Sequence, residues 1–145
     1  MKKIFLMLGA IVVLTSCGTK TDEVKKDETK KLSCHAEAGT DTLDSEFIFN
    51  KDGSKLKTAS LVGKNNISMQ ASMTAYCTII KGMSPEATCT ATANDKFVDL
   101  NANIPIEKLD ETLLSSLSFH GVKLYSGVNY NDLKTKIEAT GTECD

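Results

Sequence analysis

The chain has no tryptophan, two prolines and an aromatic content of 6%. Its 17 basic residues are all lysine, because arginine does not occur anywhere in the 145 positions. Arginine makes the planar, bidentate contacts to guanine and phosphate, so its absence argues against a nucleic-acid binder. With nine glycines among residues that are 41% hydrophobic, collagenous and disordered classes are excluded. Only one long apolar run occurs, which excludes a polytopic membrane protein. What is left is one domain's worth of chain.

The apolar run lies at the start. Met1, Lys2 and Lys3 precede Ile4 to Leu14, an apolar stretch too short to span a bilayer, which takes about 20 residues. A basic start, a short apolar core and small residues make a secretory signal. Here the small residues lead into a cysteine: Leu14, Thr15, Ser16 and Cys17 resemble the lipobox of bacterial lipoprotein precursors. That resemblance implies a diacylglyceryl thioether on Cys17 and cleavage between Ser16 and Cys17, making residues 1–16 a signal peptide. The competing reading is an ordinary signal with an accidental cysteine, but no better small-x-small site follows. Each buried methylene contributes about 0.8 kcal/mol, so two or three acyl chains anchor stably where one does not. Loss of Lys2 and Lys3 with the signal leaves 15 Lys against 19 acids, a net charge of −4. An acidic body is not drawn to anionic lipid, so the expected attachment to the membrane runs through acyl chains alone.

Residues 17–31 are expected to be the lipidated Cys and a charged flexible tether. The segment 18–31 carries five Lys and four acids, with Val24 its one large apolar residue. Such a coil of 14 residues reaches on the order of 20 Å.

Residues 32–145 are expected to form a single globular domain. Leu43, Ser45, Phe47 and Phe49 alternate with polar neighbours, the pattern of a half-buried strand. A turn at Asn50–Gly53 and a return strand from Lys55 to Val62 complete a hairpin. A second hairpin alternates Ala87, Cys89, Ala91 and Ala93 with threonines, turns at Asn94-Asp95, and returns through Val98, Leu100 and Ala102. Its alanines leave room for a helix to pack closely. Ile106, Leu109, Leu113, Leu114 and Leu117 predict a helix with Pro105 in its first turn. Tyr130, Leu133 and Ile137 predict another, capped by Asn129 or Asn131 and stopped at Gly141. Residues 67–80 fit either helix or strand. Helix is favoured because Ser, Gln, Ala and Met fill the segment. The expected class is therefore α+β, with an antiparallel sheet built from hairpins packed against two or three helices and stapled by disulfides.

The order of these features resembles the YehR-like family of small bacterial lipoproteins. Shared are a lipobox and charged tether, a first strand that starts at a Cys, a hairpin, a helix, a second hairpin, and two helices running into a Cys near the end within KIEATGTEC. The resemblance implies an α+β fold with an antiparallel sheet and carries over no functional residue, the family's function being unassigned.

With Cys17 acylated, four cysteines remain, an even number that suits two disulfides in an exported domain. Of three connectivities, Cys34–Cys144 and Cys77–Cys89 are expected. On the chain-entropy model they contribute about 4.5 and about 3 kcal/mol. No C-x-x-C redox motif occurs. A zinc site is not expected either, because the only histidines are His35 and His120, and Cys34 and His35 would point to opposite faces of a strand.

Neither a G-x-S-x-G elbow nor a phosphate-cradling glycine loop is present. Adjacent carboxylates such as Asp110-Glu111 diverge rather than face each other across a bond. The chain is therefore expected to be no enzyme, to use no cofactor and to have no catalytic residue. One segment, 119–130, gathers Phe119, His120, Tyr125 and Tyr130 and is the candidate ligand-binding stretch, although such rings more often simply close a core. The expected function is a lipid-anchored, extracytoplasmic, non-enzymatic binding module for an envelope protein or small ligand. The alternative is an inhibitor or immunity-type lipoprotein that blocks a partner through that segment. Lysine without arginine, with abundant Asn, Thr and Ile, fits an AT-rich genome and a one-membrane bacterium. In a two-membrane cell, Gly18 after the lipidated Cys implies the outer membrane.

Overall fold

The computed structural model describes residues 28–145. The expected signal peptide, Cys17 and the tether up to residue 27 lie outside the described residues.

The first strand, β1 (Thr29–Ala38), pairs with β2 (Asp41–Asn50) in an antiparallel hairpin closed at Gly39, whose φ is +66°. Its start corrects the expected tether, since Thr29, Lys30 and Lys31 belong to the strand. Hydropathy hides them because they gain partners other than core: Thr29 pairs with Asn50, Lys30 Nζ lies 3.8 Å from the Tyr130 ring centroid, and Lys31 pairs with Glu46. β3 (Leu56–Asn66) runs four residues past the expected end at Val62. A register shift between Ile48 and Phe49 accommodates Lys57, so that Leu56 and Ala59 both face the core.

Residues Ile67–Met69 form a 3-10 turn capped by Asn66, and α1 (Gln70–Met83) follows. Helix is thus the outcome where strand was the alternative, with Cys77 and Ile80 as its buried stripe. β4 (Thr88–Ala93) and β5 (Phe97–Ile104) form the second hairpin, and β5 buries Val98, Leu100, Ala102 and Ile104 in strict alternation.

The helix predicted from Ile106 to Leu117 is broken. Ile106–Lys108 is a 3-10 turn, Leu109 is extended, and α2 (Glu111–Ser116) starts afresh with Asp110 Oδ1 accepting from the Leu113 amide at 2.9 Å. Ile106, Leu109, Leu114 and Leu117 are still buried, so the apolar pattern held while the hydrogen-bond pattern did not. A competing cap at Asp110 explains the break. β6 (Ser118–Phe119) and β7 (Val122–Lys123) form a small hairpin, and α3 (Tyr130–Glu138) has Asn129 as its N-cap. β8 (Glu143–Cys144) ends the fold.

The main sheet has the order β4-β5-β3-β2-β1-β8. Its pairings are all antiparallel. Helices and the small hairpin lie on one face, packed over Leu32, Phe47, Phe49, Ala59, Leu61 and Ala102. The opposite face carries Ser33, His35, Asp44, Glu46, Ser60, Asn101 and Thr90, read from the same registers. The α+β class with an antiparallel sheet and helices is what the structure shows. Two disulfides staple it. Cys34–Cys144 joins β1 to β8, and Cys77–Cys89 joins α1 to β4. Among the described residues no helix is long and apolar enough to cross a membrane.

Candidate functional site

On the helical face the sheet is not fully covered. In the row Leu43–Gly63–Leu100, taken from β2, β3 and β5, the central position has no side chain. Gly63 does not have the positive φ that would demand glycine. A Cβ there would instead lie 3.3 Å from Leu43 Cδ1, from Asn65 Nδ2 and from the Thr42 carbonyl oxygen. A strand glycine required by space rather than by backbone conformation marks a close approach.

Above this row opens a groove of about 360 Å³. Leu43, Leu61 and Leu100 form its floor; Ser72, Met73 and Tyr76 of α1 form one wall; Ser118 and Phe119 of β6 form the other, with Asn65 at one end. None of these side chains is charged. Burial pushes the Tyr76 phenol above its usual 10.0, which keeps that wall neutral. Among the described residues, no side-chain hydrogen bond occupies the Tyr76 hydroxyl or the Asn65 amide. An apolar cleft with a few unengaged polar groups is the usual form of a small-molecule site.

Next to the groove, His120 reaches the sheet. The turn of the β6–β7 hairpin is His120-Gly121, with φ +50° and +79°, the pair of positive values of a two-residue hairpin turn. From there His120 Nε2 approaches Ser45 Oγ to 2.7 Å. Ser45 sits opposite Leu61 and two residues from Leu43, so the pair borders the groove floor. Burial lowers the His120 pKa, and His35 lowers it further, against a raising influence from Asp44.

A serine and a histidine at this distance invite comparison with a hydrolase. Two features weigh against it. Ser45 is 3% exposed, and it lies in a strand paired on both sides, which engages the backbone amides an oxyanion hole would need. No described residue donates to or accepts from His120 Nδ1. The pair is a hydrogen bond that satisfies a buried hydroxyl.

The segment 119–130 does not form a projecting loop. Phe119 is 1% exposed and meets the Phe47 ring edge-on at 5.4 Å between centroids. Tyr130 is half-buried and packs on Phe49 at 5.7 Å, beneath Lys30. The Tyr125 ring lies 4.3 Å from Lys136 Nζ, whose ammonium also donates to its hydroxyl at 3.2 Å. The structure brings Phe119 into the groove wall, holds His120 beside it on Ser45, and sends Tyr125 and Tyr130 elsewhere in the core. Sequence reasoning missed Leu43, Leu61, Gly63, Tyr76 and Leu100 as site residues, since each reads locally as ordinary core. The one available signal was a glycine inside an alternating strand.

The bare face holds a second, wider basin of about 570 Å³, lined by His35, Asp44, Glu46, Ser60, Val62 and Glu143 among others. Among its lining residues is His35, whose Nδ1 donates to Asp44 Oδ1 at 2.6 Å and whose Nε2 donates to Glu37 Oε1 at 2.9 Å. Those hydrogen bonds, Asp44 foremost, raise the His35 pKa above 6.5. Among the described residues no group of three or more His, Cys, Asp or Glu could hold a metal ion. Cys34 and His35 do point to opposite faces of β1, the former buried and the latter exposed.

No protein-family model matches the chain, and no curated protein matches it. Among solved structures, it is similar to the NMR structure of the E. coli YehR protein. The TM-score is 0.64 at 16% identity, over 82% of this chain and 92% of that one. At that identity the likeness concerns the fold, and the fold of this chain is YehR-like.

Proposed function

We propose that the chain is a lipid-anchored extracytoplasmic domain that binds a ligand without transforming it. The anchor rests on Leu14, Thr15, Ser16 and Cys17, with acylation of Cys17 holding the domain on the outer face of the cell membrane, or on the outer membrane of a two-membrane cell. The binding reading rests on one observation: the uncharged groove floored by Leu43, Leu61 and Leu100, whose lining includes the Tyr76 hydroxyl and the Asn65 amide without side-chain hydrogen bonds among the described residues. The buried position of Ser45 favours binding over catalysis there. The burial of Phe119 favours a recessed site over a protruding inhibitory loop.

Two measurements test this. Cells fed an alkyne analogue of palmitate should label the chain, and Cys17→Ala should abolish the label; labelling that survives the substitution removes the anchor. Native mass spectrometry of the chain isolated from its host should show a retained small molecule that Ser72→Glu, at the exposed groove wall, releases. Retention unaffected by that change would move binding away from the groove.

A further inference from the structure

We propose that the groove takes one unbranched acyl chain, with its head group left at the solvent-facing mouth. The proposal rests on the binding reading above and adds the ligand's chemical class. Charge is the first argument. The surface of the fold is rich in Lys, Asp and Glu, yet no side chain lining the groove is charged, so the inserted part of the ligand must be neutral. Shape is the second. Tyr76, Ile79 and Met83 follow one another at i, i+3 and i+7 along one side of α1, and Ile79 is 59% exposed. The apolar lining thus continues beyond the groove as a narrow strip, which suits a long slender ligand better than a compact one. At Gly63 the tips of the lining side chains Leu43 and Asn65 come within 3.3 Å of where a Cβ would stand, so glycine lets them close over the strand as part of the groove surface. Met73 adds a flexible thioether that adapts to a chain without fixed ring geometry. The Tyr76 hydroxyl and the Asn65 amide are unengaged donors of the lining, and an ester or carboxyl oxygen could accept from either.

The probe is cis-parinaric acid, whose polyene chain fluoresces on leaving water, titrated into the full chain carrying Cys17→Ser. That substitution removes the chain's own expected acyl groups and leaves every described residue unchanged. The expected result is saturable binding of one probe per chain, displaced equally by dodecanoic acid and by a neutral monododecanoyl glycerol. Gly63→Val, which crowds the lining side chains of Leu43 and Asn65, and Ser72→Glu, which puts a carboxylate on the wall, should each weaken binding at least tenfold. Ser72 is exposed on α1, so its variant reports even where Gly63→Val fails to fold. Absence of saturable binding, or equal affinity in wild type and Ser72→Glu, overturns the proposal. If the host-isolated chain instead retains a molecule without an acyl chain that Ser72→Glu releases, the binding reading stands and the acyl class falls. If the groove retains nothing and the probe does not bind, both fall.

Discussion

Ser45 and His120 are 75 positions apart and joined by a 2.7 Å hydrogen bond that fastens the β6–β7 hairpin to the middle of the sheet. Because Ser45 is buried, its hydroxyl depends on that imidazole for a partner. Ser45→Ala and His120→Ala should each lose about 1 kcal/mol of stability, and the double variant little more than either alone. A urea-denaturation double-mutant cycle measures this. Losses that add fully would show the bond to be stabilising nothing.

The two histidines titrate on opposite sides of 6.5, His35 above it and His120 below. The pH dependences of their contributions to stability have opposite signs. His35 contributes fully below 6.5 and loses that contribution as pH rises through its folded pKa. His120 contributes fully above 6.5 and loses its contribution as pH falls through its folded pKa. The stability gap between wild type and His35→Gln should therefore narrow toward alkaline pH, and the gap for His120→Gln should narrow toward acid. Proton NMR of the two imidazoles, assigned with those variants, gives the order directly; an inverted order would refute the assignment of partners.

Gly53 and Gly39 separate two costs of a side chain. Both have positive φ, but a Cβ at Gly39 meets open space, whereas one at Gly53 would lie 3.0 Å from Tyr130 Cβ. The Tyr130 amide also donates to the Gly53 carbonyl at 2.8 Å. Gly39→Ala should cost about 1 kcal/mol for the backbone alone, and Gly53→Ala about 2–3 kcal/mol. Thermal melts of the two variants check the difference, and equal losses would mean that Tyr130 yields freely.

The staples should differ in weight. Replacing Cys34 and Cys144 together by alanine opens a sequence separation of 110, worth about 4–5 kcal/mol, while replacing Cys77 and Cys89 opens one of 12, worth about 3 kcal/mol. Denaturant midpoints rank the two. Peptide mapping without reduction should recover Cys34 with Cys144, and a Cys34–Cys77 peptide would contradict the structure.

Period and pairing were legible wherever one face of an element is buried. The alternation of β5 and the stripe of α3 could be read directly, whereas the disulfide partners were a choice among three connectivities that the structure makes as expected. The break at Asp110 was not, because a 3-10 turn followed by an extended leucine buries the same apolar positions as a continuous helix. Thr29 to Lys31 read as solvated charge, since the partners that make them strand are Asn50, Tyr130 and Glu46, all distant in sequence. The groove was hidden for a related reason. Its lining residues Leu43, Leu61, Leu100, Met73, Tyr76 and Phe119 sit on separate elements and become a cleft only when the sheet, α1 and β6 are brought together.

The pairing of β1 with β8 has a mechanical consequence. The first and last described strands are neighbours, and Cys34–Cys144 turns nearly the whole domain into one covalent loop. A pull applied between the chain before Thr29 and Asp145 reaches that cross-link after unzipping only the residues ahead of Cys34. From there the load passes through sulfur to β8, and the core strands are bypassed. By the same connectivity, a single protease cut between Cys34 and Cys144, for instance at the exposed Gly39 turn, leaves one molecule rather than two.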